Sequence, residues 1–212
     1  MNDHKITSNG LSFTDKLEKL NTLSSDNIDA LLYDCDGTLA DSMPGHKKAY
    51  VQVAAKAGVV LDDRIIDEFA GLPVPKVVEE INKRYGSDFH PVQFAEERER
   101  IFLNDIISFV QPVDFVVAHM KANHGKKRIA VVSGSERSTV EKTLQVIGIA
   151  DIPELLVCAG ETPHGKPYPD PFLAAAAQLG VAPERCLVFE DSESGVKAAI
   201  AAGMKWVRID HL

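Results

Sequence analysis

From Val113 to the C-terminus, short apolar runs alternate with helix-length amphipathic segments, a pattern that few sheet architectures accept. The spacing predicts helix 113–123, strand Arg128–Val132, helix 136–147, strand Glu154–Cys158, helix 170–179, strand Arg185–Phe189, helix 193–202 and strand Trp206–Ile209. Strands this short and apolar, each reached through a helix, imply a parallel sheet covered on both faces. The run Ile28-Asp29-Ala30-Leu31-Leu32-Tyr33 belongs to the same sheet. Between it and Val113 the pattern changes. Pro44 to about Gly58, Ile65–Phe69, Pro75–Tyr85 and the charged stretch Val92–Phe109 read as helices, and Pro112 closes the set. The expected organisation is an α/β core of residues 1–43 and 112–212 with an all-helical insert, 44–111. Residues 1–27 are a peripheral extension, in which Phe13, Leu17, Leu20 and Leu23 follow helical spacing. An insert tethered just after the first strand is expected to act as a lid over the carboxyl ends of the strands, where open α/β sheets bind ligands.

The strand ends carry the chemistry. The first apolar run breaks into Asp34-Cys35-Asp36-Gly37-Thr38, which sets two carboxylates at its mouth. They share one strand face if the strand continues through them, whereas a tight turn at Gly37 would redirect Asp36. Like charges so close need a cation, a shared proton or ample water, and a divalent metal is the simplest answer. Ser133-Gly134-Ser135 after the next strand combines hydroxyls, a flexible glycine and the free amides of a helix start, a cradle for an anion. Taken singly, it also reads as an ordinary turn with a cap. Gly165-Lys166-Pro167-Tyr168-Pro169-Asp170-Pro171 holds Lys166 on a stiff loop as a point charge for phosphate, and Asp170 is placed to cap the helix that follows. The full Walker spacing is missing, so this is no nucleotide-cradling P-loop. Glu190-Asp191-Ser192 adds carboxylates at the same edge, and Asp191 or Ser192 also reads as a helix cap. Oxygen ligands from Asp34, the Asp36 region and Asp191 are the set that magnesium selects.

Charge narrows the partners. A formal net charge of -8 argues against a nucleic-acid backbone or an anionic membrane, both of which reward basic patches, and favours a small ligand. No apolar run approaches membrane-spanning length and residues 1–10 hold no apolar leader segment, which together predict a cytoplasmic protein. Cys35, Cys158 and Cys186 sit in apolar strand-like contexts and read as buried free thiols. Cys35 lacks an evident base, which sets it aside as a nucleophile.

In this order, Asp34-x-Asp36-Gly37-Thr38, Ser133, Lys166 and Glu190-Asp191 resemble the four motifs of the haloacid dehalogenase-like hydrolase superfamily, over residues 28–210. The helical insert resembles that family's small cap, and the nearest subgroup is the β-phosphoglucomutase-like phosphatases that act on sugar phosphates. The resemblance implies a Rossmann-like core and a magnesium-dependent phosphatase acting on a small phosphorylated metabolite. Asp34 would be the nucleophile and form an aspartyl-phosphate, while Asp36 would be general acid and then base. Asp34, Asp36 through its backbone carbonyl, Glu190 and Asp191 would hold the magnesium. Ser133, Gly134 and Lys166 would bind the phosphoryl oxygens, with Thr38 orienting the loop. An acid at position 36 favours phosphate esters over the dehalogenase and phosphonatase members.

Two other readings stand beside this one. A phosphosugar mutase shares all four motifs, but the stretch Ala70-Gly71-Leu72-Pro73-Val74-Pro75 lacks the arginine that holds a second phosphate in β-phosphoglucomutase-like enzymes. A phosphoacceptor signalling domain combines similar groups in a different order and has no helical insert. His46, Lys76 and Arg98 are candidates for substrate contacts from the insert, although each alone also reads as an ordinary cap or solvated cation.

Overall fold

A computed structural model describes residues 10–25, 27–69 and 74–212. The expectations for the first nine residues and for positions 70–73 lie outside these. The described chain divides into two compact units, one containing the residues up to Asp41 and Pro112–Leu212, the other Ser42–Gln111.

The first unit is built on a parallel five-stranded sheet of order β5-β4-β1-β6-β7. Its strands are β1 (Ala30–Tyr33), β4 (Arg128–Val132), β5 (Leu155–Val157), β6 (Cys186–Glu190) and β7 (Lys205–Arg208). Two-residue strands, β2 (Ala40–Asp41) and β3 (Gln111–Pro112), lie at the unit boundaries. In β1 every residue is buried, and register runs Tyr33 to Val131 on one side and to Phe189 on the other. A central strand flanked by two parallel neighbours has no solvent face, which is why it reads as a continuous apolar run.

The helices of this unit are α1 (Phe13–Leu23), α6 (Asp114–Asn123), α7 (Arg137–Val146), α8 (Asp170–Leu179) and α9 (Glu193–Ala201). The helices α8 and α9 cover one face, where Ala30, Leu32, Ala130, Val132 and Val188 pack with Phe172, Ala175, Ala176 and Ala198. The alanines of α8 let it approach the sheet closely, and each fully buried large side chain such as Leu32 or Phe172 contributes roughly 1.5–3 kcal/mol. On the opposite face Tyr33 and Phe189 stack at 4.5 Å between ring centroids and meet His119 of α6. α1 begins with a capping box in which the Ser12 side chain accepts from Asp15 N–H and Asp15 accepts from Ser12 N–H.

The second unit contains α2 (Met43–Lys56), α3 (Arg64–Glu68), α4 (Val74–Tyr85) and α5 (Pro91–Ile101). Sequence spacing predicts one helix through Val92–Phe109, but α5 gives way to a π-turn over Phe102–Ile106 and a 3₁₀ turn over Ile107–Phe109. The reason is visible in what is buried: Ile101, Phe102, Ile106 and Ile107 repeat at i, i+5, a spacing that an α-helix spreads round its surface and a π-turn gathers. A second correction concerns Asp170, which is the first helical residue rather than the cap. Pro169 occupies the cap position, and Asp170 Oδ1 lies 3.0 Å from His164 Nδ1. Among the described residues no helix is long and apolar enough to cross a membrane.

Candidate active site

Four loops leave the carboxyl ends of adjacent strands and bring their polar residues together. The first follows β1. Asp34 N–H still donates to Phe189 O at 2.9 Å, which prolongs the ladder by one residue and aligns Asp34 with the end of β6. The chain then turns sharply: Leu39 and Ala40 N–H both return to Cys35 O, Gly37 N–H donates to Ala40 O, and Gly37 has φ +86°. A Cβ on Gly37 would lie 2.0 Å from Asp191 Oδ2, so the loop also needs glycine for space. That turn separates the two acids of the motif.

The carboxylates that converge are Asp34, Glu190 and Asp191, each offering an oxygen within 4.8 Å of the others. Asp36 is half-buried, and its Oδ2 accepts a hydrogen bond from Ser135 Oγ at 2.7 Å. Lys166 reaches into the acidic group from the loop after β5. Its Nζ donates to Asp34 Oδ1 at 2.7 Å, to Val132 O at 2.9 Å and to Glu190 Oε1. The three side chains are 9%, 8% and 1% exposed, so this is a dry ion-paired cluster rather than a surface bridge. The other oxygen of Glu190 accepts from Ser192 N–H and Oγ at 3.0 and 2.9 Å, while Ser192 Oγ accepts from Gly195 N–H and caps α9. Gly195 leaves room for this, since a Cβ there would overlap the Glu190 carboxylate. Thr38, fully buried, donates to Asp191 Oδ1 at 3.2 Å.

Burial pushes the Asp34 carboxyl well above the carboxylate range; Lys166 opposes the shift, and Glu190, Asp191 and Asp36 reinforce it. Asp191 is raised to about 7, by burial first and then by the Glu190 charge. Burial works against the charge on Lys166, but Asp34 and Glu190 outweigh it and hold its pKa above the ordinary lysine value. Three carboxylates thus crowd round one ammonium, and the raised values of Asp34 and Asp191 show that ionising all three is unfavourable without a further cation.

Ser133 is buried at the end of β4, and its Oγ accepts from Ser135 N–H at 3.0 Å. Gly134 between them has open space where a side chain would stand, so its backbone is accessible. Ser135, read from sequence as part of the Ser133–Ser135 cradle, and Ser192, read as a helix cap and found capping α9, each take on a further role at the site. Their signal was position: each lies one or two residues beyond a motif residue and donates to a motif carboxylate. Cys35, Cys158 and Cys186 are buried free thiols, and burial raises the pKa of all three.

The residues expected to contact substrate from the insert lie in the second unit. Arg98 Nη1 donates to His46 Nδ1 at 2.8 Å, the guanidinium lies over Tyr50 at 5.5 Å, and the His46 ring stacks on Phe102 at 3.9 Å. Arg98 also pairs with Glu99, and its Nε is buried without a hydrogen-bond partner. Lys76 is exposed and paired with Glu79, apart from that buried group.

The family model for haloacid dehalogenase-like hydrolases matches residues 28–203, which takes in all four loops. The chain is a haloacid dehalogenase-like hydrolase. It is 34% identical to the fructose-1-phosphate phosphatase YqaB of Escherichia coli, over 84% of this chain and 95% of the relative. It is 27% identical to the β-phosphoglucomutase of Bacillus subtilis, over 82% and 80% respectively. A crystal structure of a family hydrolase from Deinococcus radiodurans with bound phosphate and sodium superposes with a TM-score of 0.66 at 30% identity, covering 85% of this hydrolase and 80% of that chain.

Proposed function

We propose that this hydrolase is a magnesium-dependent phosphatase acting on a small phosphate monoester, a sugar phosphate, through an aspartyl-phosphate on Asp34. The observation that carries the reading is the Lys166 ammonium held between Asp34 and Glu190 with Asp191 beside them. Three carboxylates against one ammonium would leave surplus negative charge once ionised, and their all-oxygen donor set suits a hard divalent cation. Asp34, Glu190 and Asp191, with the Asp36 carbonyl implied by the family resemblance, would hold magnesium. Bound there, the ion supplies neutralisation of the substrate dianion and of the ionised Asp34 carboxylate.

The chain's own groups then divide the work. An Asp34 carboxylate oxygen attacks phosphorus and the bond to the leaving oxygen breaks, while Lys166 and the Ser133–Gly134 segment bind the phosphoryl oxygens. Asp36 gives its proton to the departing alkoxide, its carboxyl oriented by Ser135 Oγ. It then takes a proton from a water that attacks the same phosphorus and frees Asp34. Water is the acceptor in this reading because a mutase must clamp a second phosphate, and the stretch 70–75 offers Leu, Pro and Val in place of a guanidinium. Leaving-group recognition is assigned to the helical unit, to His46 and Arg98 before Lys76.

The E. coli relative's substrate supports a sugar phosphate. The test is phosphorus NMR of hexose phosphates with magnesium, with and without a bisphosphate primer. Free phosphate appearing in step with free sugar is expected. Primer-dependent isomerisation without release would make the enzyme a mutase, and no turnover of hexose phosphates or of an aryl phosphate would end the phosphatase reading.

A further inference from the structure

A chain of hydrogen bonds lies on the sheet face opposite α8 and takes no part in the chemistry above. Tyr33, His119 and Ser24 are 0%, 0% and 2% exposed, and they come from β1, α6 and the end of α1. Tyr33 OH lies 2.8 Å from His119 Nδ1, and His119 Nε2 lies 2.9 Å from Ser24 Oγ. Ser24 Oγ in turn donates to Leu20 O at 2.8 Å.

The last bond sets the direction of the others. Because the Ser24 hydrogen goes to Leu20 O, Ser24 Oγ accepts from His119 Nε2–H; Nδ1 is then the acceptor of the Tyr33 hydroxyl hydrogen. With the neutral Nε2–H imidazole every polar hydrogen in the row has a partner, whereas the other tautomer would strand the buried Tyr33 hydroxyl hydrogen and leave Nε2 facing an oxygen that donates elsewhere. Burial, aided by Lys127, lowers the His119 pKa to about 4 and keeps the ring neutral.

The row ends beside the reacting groups. Tyr33 immediately precedes Asp34, its ring stacks on Phe189, and Phe189 immediately precedes Glu190. Phe189 O is also the acceptor of Asp34 N–H. We infer that Tyr33, His119 and Ser24 are positioning residues, which use α1 to fix the ends of the two strands that present Asp34 and Glu190 to Lys166. Helix α1 and Ser24 precede residue 28, where the family match begins, so the row ties an added helix to the matched hydrolase unit. The inference rests on the functional reading above only in its kinetic part.

The test uses the full chain with an aryl phosphate and saturating magnesium. Tyr33→Phe keeps the stacked ring and loses only the hydroxyl; Ser24→Ala removes the acceptor of Nε2–H, and Ser24→Thr keeps a hydroxyl. The first two should each lower kcat about tenfold with KM within about twofold, as small displacements of positioned groups do. Ser24→Thr should recover most of the rate. Val116→Ala, one turn before His119 and outside the row, should lower Tm while leaving kcat unchanged. Nitrogen NMR of the wild type should show His119 as the Nε2–H tautomer, and Tyr33→Phe should speed exchange of the Asp34 amide. Unchanged kcat in Tyr33→Phe, or Val116→Ala losing as much rate as Ser24→Ala, would overturn positioning. An Nδ1–H or charged His119 would overturn the row itself, even if the wild type turned over no phosphate ester and the functional reading had failed.

Discussion

Lys166→Met keeps most of the unbranched side chain, one atom shorter, and removes its charge, which makes it the sharpest probe of the acidic cluster. In the wild type Nζ contacts Asp34 Oδ1 at 2.7 Å and Glu190 Oε1, and all three groups are nearly inaccessible. Removing one partner of a buried ion pair costs about 3–5 kcal/mol, because the remaining charge is left uncompensated in a poorly hydrated site. For a unit of this size that corresponds to a fall in Tm of about 6–20 °C. The loss has a built-in relief, since the orphaned carboxylates can take up protons. The deficit relative to wild type, measured by calorimetry in chelator, should therefore be largest at about pH 8.5 and shrink towards about pH 5. Magnesium at the higher pH should restore part of it by supplying the missing positive charge, while hydrolysis should stay abolished, since the ammonium proposed to bind phosphate is gone. A Tm equal to wild type at both pH values would refute the argument that Lys166 neutralises a buried acidic cluster.

Three further outcomes follow from the same geometry. In chelator the wild type should lose stability as pH rises: Asp191, raised from 3.8 to about 7, binds a proton in the folded state that the unfolded chain has already released. Its contribution is thus full below about pH 4 and lost through about pH 7, of order 2–4 kcal/mol after allowance for its partly exposed position; a calorimetric pH series that rises instead would contradict it. Asp191→Ala should raise the half-saturating magnesium concentration about tenfold or more at saturating substrate, and an unchanged titration would remove Asp191 from the metal site. Gly37→Ala, whose Cβ would strike Asp191 Oδ2 and whose φ is +86°, should weaken magnesium dependence as well as stability; normal magnesium response would show that the turn tolerates a side chain.

The strands and their polar ends were legible because both rest on local rules. Arg128–Val132 and Asp170–Leu179 fall where periodicity puts them, and the acids at 34, 190 and 191 meet because adjacent parallel strands end at one edge. Asp36 was less legible, since its direction depends on the Gly37 turn, which composition announces without specifying. The π-turn after Ile101 was missed because charged residues outside suggested a continuing helix while the i, i+5 apolar spacing inside decided otherwise. The start of that helix was right, but the cap role read for Asp170 was not, because prolines on both sides make either residue plausible as the cap by composition. Ser24, Tyr33 and His119 gave no signal at all: their pairing spans 95 and 86 positions, and a serine or histidine at a helix position carries no mark of its partner.

The account turns on Asp34 as the atom donor to phosphorus, and a trapped intermediate addresses that most directly. The enzyme is mixed with a hexose phosphate and magnesium, quenched in acid within one turnover, reduced with borohydride and digested for mass spectrometry. The account predicts homoserine at position 34, the product of reducing an aspartyl-phosphate, and its absence from Asp34→Asn treated in the same way. A turning-over wild type that shows unmodified Asp34 throughout, or reduction at Asp36 or Asp191 instead, would contradict it.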